Sequence, residues 1–311
     1  MVILGINAEQ YRLAVGLRET TCVQNMPQLP RSPLSLYGPD TYCRSRSKKL
    51  AALQNYLHLV KYLLPTDKSI TPAVLWHPDL HTENIFVHPE RPAEVLGIID
   101  WQSSELLPLF DHARQPYFLD YDGPPSTGLD PPAFPEDFDK LNPSEQAEAQ
   151  DLYLKMSLAT LYRRLTYSNN TTLFKAMEFR QSTSFEMLLL AQNLLVDGEA
   201  LYQSRCVDLE TEWTALPGVQ AAGNPLFPLQ FSKEEIALID EDVSGAIRGM
   251  ELMRNLRQSL GQLWPGKGVV RPEQYDEVKR LLQQAKTELI DRMGHSEAEK
   301  AAWEESWPFD N

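Results

Sequence analysis

The sequence predicts a mainly α protein of the α+β class, and three observations lead there. Most of the chain places apolar residues at helical spacing between Pro and Gly breakers. A single stretch, "NIFVHPERPAEVLGIIDW" (84–101), reads as a β-hairpin closed by a Pro-containing turn. Residues 108–143 hold eight prolines and predict a long irregular surface segment rather than further strands.

Taken in order, Asn7 caps a helix to about residue 25, with Tyr11, Leu13, Ala14 and Leu17 on one side. Pro27, Pro30 and Pro33 then make a linker. Residues 47–64 place Leu50, Leu53, Leu57, Val60 and Leu64 on one helical face and stop at Pro65. "AVLW" is a short apolar run before the hairpin, whose strands are expected at 84–88 and 94–101. Asn142, Pro143 and Glu145 form a capping box that opens a helix to about 168. A further helix is expected over 171–196. Ser232 with Glu235 opens another that runs to "LWPG" near 264, and Pro272 starts its partner, closed by Gly294. Residues 232–293 thus predict a helical hairpin, with a short last helix from Ser296. Three segments follow: an N-terminal helix and linker (1–46), a main body (47–228), and a C-terminal helical hairpin and tail (229–311).

The formal charge of −14 argues against nucleic-acid or anionic-membrane binding. It is uneven, since residues 1–50 carry +4 and the remainder −18. Cys22, Cys43 and Cys206 are odd in number and widely spaced, which fits a reducing, intracellular compartment and neither a disulfide framework nor a zinc site. No apolar run is long enough to span a membrane. "MVILGI" is too short for a signal-peptide core, and Glu9 and Glu19 do not suit a mitochondrial presequence.

The chemistry is concentrated in "HPDLHTENIFV" (77–87). His77, Asp79 and Asn84 match the kinase catalytic-loop pattern H-x-D-x-x-x-x-N, and "GIIDW" presents Asp100 at the end of an apolar strand. Phosphoryl transfer needs a carboxylate at the attacking hydroxyl and oxygen ligands for Mg²⁺ at the phosphates. A short loop ending in Asn, then a hairpin returning an Asp, brings these groups together. Asp79 is the expected catalytic carboxylate, and Asn84 and Asp100 are the expected catalytic and metal-binding pair. Turn formation is the competing reading for all three. His77 can brace the loop or take part in cofactor binding; His81 can touch phosphate or hydrogen-bond within the loop. "GQLWPGK" (261–267) imitates a phosphate-binding loop, but Gly268 stands where Ser or Thr belongs, so it reads as a helix-ending turn. "DYDGPPSTGLDPP" lacks calcium-loop spacing, and the sequons at Asn169 and Asn170 carry no weight without a secretory signal.

With these residues in view, the chain resembles the aminoglycoside phosphotransferase and choline kinase-like superfamily, which shares the protein-kinase fold. His81 and Trp101 fit its H-G-D-x-H-x-x-N and I-D-W variants. Within that superfamily it is similar to a fungal group named for altered inheritance of mitochondria, through "LVKYLLPTD", "GIIDWQSSELLPLF", "FPEDFDKLNPSEQ" and "WEESWPFD". The resemblance implies a kinase-type C-lobe over 47–228, with catalytic loop 77–84 and metal-Asp hairpin 84–101. It also implies ATP and Mg²⁺ as cofactors, a small-molecule hydroxyl as acceptor, and a mitochondrial location, otherwise a cytoplasmic one. In relatives the counterpart of Asp111 ties the catalytic loop to the lobe.

No G-x-G-x-x-G and no strand-borne Val-Ala-x-Lys is present, and only 76 residues precede His77. The expectation is therefore a C-lobe without its N-lobe. Such a lobe would expose apolar surface that a protein partner could cover. Two readings stay open: an ATP-dependent phosphotransferase, or a catalytically impaired, truncated pseudokinase acting as a binding or scaffold protein. Acidic residues at 120–140 point, slightly, to a cationic acceptor such as an amino alcohol or aminoglycoside.

Overall fold

The computed structural model describes residues 7–264 and 269–309. In chain order the elements are α1 (Ala8–Asn25), α2 (Arg46–Leu63), β1 (Ala73–Trp76), β2 (Ile85–His88), β3 (Arg91–Ile98) and β4 (Glu105–Pro108). They are followed by α3 (Leu109–His112), α4 (Pro143–Asn169), α5 (Thr171–Phe179), α6 (Thr183–Ala191) and α7 (Glu199–Glu212). The last are α8 (Pro217–Ala221), α9 (Lys233–Leu260), α10 (Tyr275–Met293) and α11 (Glu297–Ser306). The protein is mainly α, as expected, with four short strands among the described residues.

The caps form as the sequence implies. Asn7 Oδ1 accepts from the Gln10 amide at 2.9 Å. Asn142 and Ser232 each complete a capping box with the Glu three residues on, at α4 and α9. Ser296 accepts from the Glu299 amide and opens α11. Each such cap satisfies amides that the first helical turn leaves without partners.

Several local expectations need correction. The helix expected over 171–196 is two helices, α5 and α6, because Ser182 Oγ bonds back to the Phe179 carbonyl and accepts from the Phe185 amide. A side-chain cap in mid-run ends one helix and starts the next. Beyond it, Gly198 adopts a left-handed φ of 87° and opens α7, an element the sequence reading passed over. The second hairpin strand is Arg91–Ile98 rather than 94–101, because the chain leaves the ladder once Asp100 turns left-handed. α9 ends at Leu260, with one 3-10 turn over Gly261–Leu263; the rest of "GQLWPGK", Pro265–Lys267, lies outside the described residues, as do "MVILGI" and Asp310. Finally, the hairpin is not the only sheet: β1 pairs antiparallel with β4, Ala73 opposite Pro108 and Trp76 opposite Glu105.

The chain divides into two compact units. The first comprises the described residues of Met1–Arg12, Lys61–Glu186 and Leu216–Gly223. It contains both two-stranded sheets, and its aromatic centre is Phe110, Phe179 and Phe185, stacked edge to face with centroids 5.4 and 6.0 Å apart. His112, at the end of α3, lies parallel to Trp76 of β1 at 5.6 Å, and its Nε2 accepts from the Leu107 amide at 3.2 Å.

The second unit comprises the described residues of Leu13–Val60, Met187–Ala215 and Asn224–Asn311. Its core is Leu252, Leu256 and Leu260 of α9 against Val278 and Leu289 of α10, with Trp303 and Trp307. The segment before α2 packs so closely on α9 that only glycine fits there. The Leu36 amide bonds to the Gly249 carbonyl at 3.0 Å, and a Cβ on Gly249 would meet the Leu36 carbonyl oxygen at 2.6 Å. Elsewhere in this unit Lys49 is wholly buried, with its Nζ 2.9 Å from Glu199 Oε2 and 3.1 Å from the Leu194 carbonyl. Tyr42 donates to the other Glu199 oxygen at 3.0 Å, so both carboxylate oxygens are satisfied. Burial, and then the Glu199 charge, push the Tyr42 phenol far above its ordinary range.

Gly249→Ala should destabilise the protein by about 1–3 kcal/mol in urea denaturation, despite the helix-propensity gain of about 1 kcal/mol, because the Leu36 backbone must move. A stabilised variant would contradict that packing. His112 supplies a pH test. Burial is the main cause holding its imidazole below the ordinary value of 6.5, and its neutral Nε2 is an acceptor. A lowered histidine pKa contributes stability that is present above pH 6.5 and lost as the pH falls through the lower, folded value. Melting temperatures should therefore fall more on acidification in the native chain than in His112→Gln, and equal falls would refute the assignment.

Candidate functional site

The loop 77–84 leaves the end of β1. His77 is buried, and its Nε2 donates to the Ile99 carbonyl at 2.8 Å. The Trp101 ring meets it edge-on at 5.0 Å, and its Nδ1 is buried with no hydrogen-bond partner among the described residues. The ring is thus engaged by the backbone just before Asp100.

Five residues after His77 the loop tightens into a 3-10 turn, Thr82–Asn84. The Asp79 carbonyl accepts from the His81 amide at 3.1 Å and from Asn84 Nδ2 at 2.9 Å. Asn84 is buried, and its Nδ2 also lies 3.3 Å from His81 Nε2. One amide proton of Asn84 is therefore spent inside the loop on the Asp79 carbonyl, and its Oδ1 is an oxygen donor of the type a hard cation takes. His81 Nδ1 meets Glu83 Oε2 at 2.8 Å, and its Nε2 lies 3.5 Å from Asp79 Oδ2. The hydrogen bond to Glu83 is the main cause raising the His81 pKa, and the Asp79 charge adds to it. Asp79 keeps a carboxylate that is more than half exposed.

The hairpin returns the chain to this loop. Ile85 faces Ile98 and Phe86 faces Gly97, with register shifts on either side of Val87. One residue past the ladder, the Ile99 amide donates to the Asn84 carbonyl at 3.0 Å. Asp100 follows with φ 62°, a left-handed conformation unusual outside glycine. Trp101 Nε1 donates back to the Ile98 carbonyl at 2.8 Å and closes the turn. Asp100 Oδ1 is buried and has no hydrogen-bond partner among the described residues. A buried carboxylate oxygen without a donor is costly unless something positive meets it.

These atoms suit a hard cation. Asp100 Oδ1 and Asn84 Oδ1 are both oxygen donors, the type that Mg²⁺ takes. Among the described residues no cluster of three or more His, Cys, Asp or Glu could hold a metal. One carboxylate and one amide make a partial shell, of the kind that nucleotide phosphates complete.

Asp111 does not bond to the loop through its carboxylate. That group pairs with Arg12 in the interior, while the Asp111 carbonyl accepts from Arg180 Nη1 at 2.6 Å. The loop is reached instead by Arg114, whose Nη2 donates to the Pro78 carbonyl at 3.3 Å. Sequence reasoning passed over Arg114 and Glu83, since neither belongs to the motif and an Arg thirty-six residues from Pro78 gives no local signal. The strands around the site are open: Phe86, Val95, Leu96, Ile98 and Trp101 are all exposed. Isolated exposed apolar residues are ordinary, but with Val87 and Ile99 there are seven within one hairpin and its turn, an unusual apolar surface.

Cys22, Cys43 and Cys206 are free thiols, and among the described residues no helix is long and apolar enough to cross a membrane. No family model matches the chain, and no solved structure matches it. It is similar at low identity to a subtelomeric hrmA-associated cluster protein of Aspergillus fumigatus, 23% identical over 310 residues that cover 96% of this chain and 58% of that protein. It is also similar to altered inheritance of mitochondria protein 9, mitochondrial, of Saccharomyces cerevisiae, 27% identical over 187 residues covering 58% of this chain and 28% of that protein. The namesake from Zygosaccharomyces rouxii is 26% identical over 174 residues, 56% of this chain and 27% of that protein. The chain therefore spans little more than half the length of the Aspergillus relative and about a quarter of the yeast ones.

Proposed function

We propose that this chain carries the catalytic lobe of an ATP-dependent phosphotransferase of the aminoglycoside phosphotransferase and choline kinase-like superfamily, acting on a small-molecule hydroxyl. The observation that carries the reading is the buried Oδ1 of Asp100, partnerless among the described residues, one residue past the Ile99 amide that bonds to the Asn84 carbonyl. The hairpin returns that aspartate to a loop whose asparagine donates from Nδ2 to the Asp79 carbonyl.

In this reading Asn84 and Asp100 would hold Mg²⁺, which would screen the phosphate charge of ATP. Asp79, exposed at the loop, orients the acceptor hydroxyl and takes its proton. The bond from the acceptor oxygen to the γ-phosphorus forms as the bond to the ADP oxygen breaks. His77 fixes the loop to the strand end, and His81 holds the carboxylate side of the loop through Glu83 and Asp79. A nucleotide-binding lobe seated on the apolar hairpin would supply the phosphate clamp. Without such a clamp the rate should fall by several orders of magnitude, on the order of 4–8 kcal/mol. The yeast relatives' names support a mitochondrial location for the working protein.

The exposed hairpin also favours a second reading, a binding or scaffold protein that keeps the site residues and uses this face for a partner. Calorimetry separates the two. The phosphotransferase reading expects ATP binding that requires Mg²⁺ and weakens about tenfold or more in Asp100→Asn, a substitution that tolerates the left-handed backbone. Binding indifferent to both Mg²⁺ and the substitution, with circular dichroism unchanged, would remove it.

A further inference from the structure

A cleft of about 460 Å³ in the first unit carries a charge opposite to that of the chain as a whole. Three arginines line it: Arg114 after α3, Arg163 on α4 and Arg180 at the end of α5. Asp120 is its one lining carboxylate.

These arginines differ in how they are satisfied. Arg163 is buried, pairs with Glu178, and donates to the Thr127 and Gly128 carbonyls, so it is neutralised and structural. Arg180 donates to the Asp111 carbonyl at 2.6 Å and lies over the Phe185 ring at 4.3 Å. Arg114 lies over the Tyr117 ring at 4.5 Å and donates to the Pro78 carbonyl. Among the described residues neither Arg114 nor Arg180 has a carboxylate at ion-pair distance. Asp120 is already engaged, since its Oδ1 accepts from Gln115 Nε2 at 3.0 Å. Burial is the main cause lowering the Arg180 pKa to about 10, with repulsion from Arg114 and Arg12 in support. Two guanidiniums without counter-ions thus face a cleft that an oxyanion would fill, and planar guanidinium groups bind carboxylate and phosphate in two-point fashion.

We propose that the phosphoryl acceptor is a small molecule bearing an oxyanion, a phosphate or a carboxylate, which Arg114 and Arg180 hold in this cleft. The inference rests on the phosphotransferase reading for the word acceptor; the oxyanion site stands on the arginines alone. Arg114 links the two, because its other contact is the carbonyl of Pro78, the residue before Asp79. An acceptor anchored at Arg114 is thereby held next to the loop that carries the proposed base. This replaces the cationic acceptor that the acidic composition of residues 120–140 suggested, because the cleft presents arginines and its single acid is occupied.

The test titrates the 311-residue chain with inorganic phosphate, acetate and ethanolamine by calorimetry at low salt. One of the two anions should bind and ethanolamine should not. Binding should weaken with added salt and fall about tenfold or more in Arg114→Gln, an exposed position whose substitution spares the core. Arg114→Lys, which keeps the charge but not the fork, should lose less. MgATP binding is measured on the same variants. Unchanged MgATP binding in Arg114→Gln supports an acceptor site, whereas an equal loss of MgATP and phosphate makes the cleft a nucleotide-phosphate site and overturns the proposal. Anion binding that ignores Arg114, or ethanolamine binding in its place, overturns it as well. If phosphate binds at Arg114 but MgATP does not bind at all, the oxyanion site survives and the phosphotransferase reading alone falls.

Discussion

The peptide groups of Ile99 govern the arrangement of the site. The Ile99 amide donates to the Asn84 carbonyl and its carbonyl accepts from His77 Nε2, so one residue fastens both ends of the loop 77–84. Each such bond contributes only about 0.5–1.5 kcal/mol net. Their effect is geometric rather than energetic: they fix the peptide groups from which the chain continues, and Asp100 follows in a left-handed turn with its Oδ1 buried. The His77 ring fills the space behind, edge-on to Trp101, and the Trp101 indole closes on Ile98. The site residues therefore share one small hydrogen-bonded cycle, although they span twenty-four positions of sequence.

That cycle matters because the hairpin around it has little else to hold it. Two-stranded sheets are marginal in water without a covered face, and β3 is exposed along nearly its whole length. By contrast, the second unit is fixed by a dense apolar core and by glycine-mediated contact of the Leu36 segment with α9. A loop fastened at its base but open above is a suitable arrangement for a site completed by another surface, and the apolar side chains of β2 and β3 give such a surface something to bury.

How much of this was legible in the sequence follows from the range of the forces involved. Capping boxes at Asn142 and Ser232 are local, and they appear where the pattern puts them. The break at Ser182 was equally local but masked by continuous hydrophobicity on both sides, and Gly198 was the unread signal for α7. The pairing of β1 with β4 escaped because "ELLP" is too short to register as a strand by periodicity, and only its partner thirty residues earlier makes it one. Asp79, Asn84 and Asp100 could be singled out because the motif fixes their spacing. The left-handed turn at Asp100 could not, because a tertiary contact imposes it. The long-range pairs Lys49–Glu199 and Arg12–Asp111 left no trace in the pattern either.

The contrast between total charge and local charge makes the same point about function. A chain at −14 with an acidic segment at 120–140 invites a cationic ligand when only composition is available. Screening, however, limits exposed charges to a reach of about 8–10 Å at physiological salt, so a bound molecule responds to the groups lining its cleft and hardly to the sum over the surface. In the cleft beside the loop those groups are Arg114 and Arg180, with Arg163 and Asp120 already occupied. The other acids of the segment do not line this cleft, and the segment itself is fastened to α4 by Arg163 through the Thr127 and Gly128 carbonyls. Folding has separated the charges that the sequence mixes, and it has done so within one residue of Asp79.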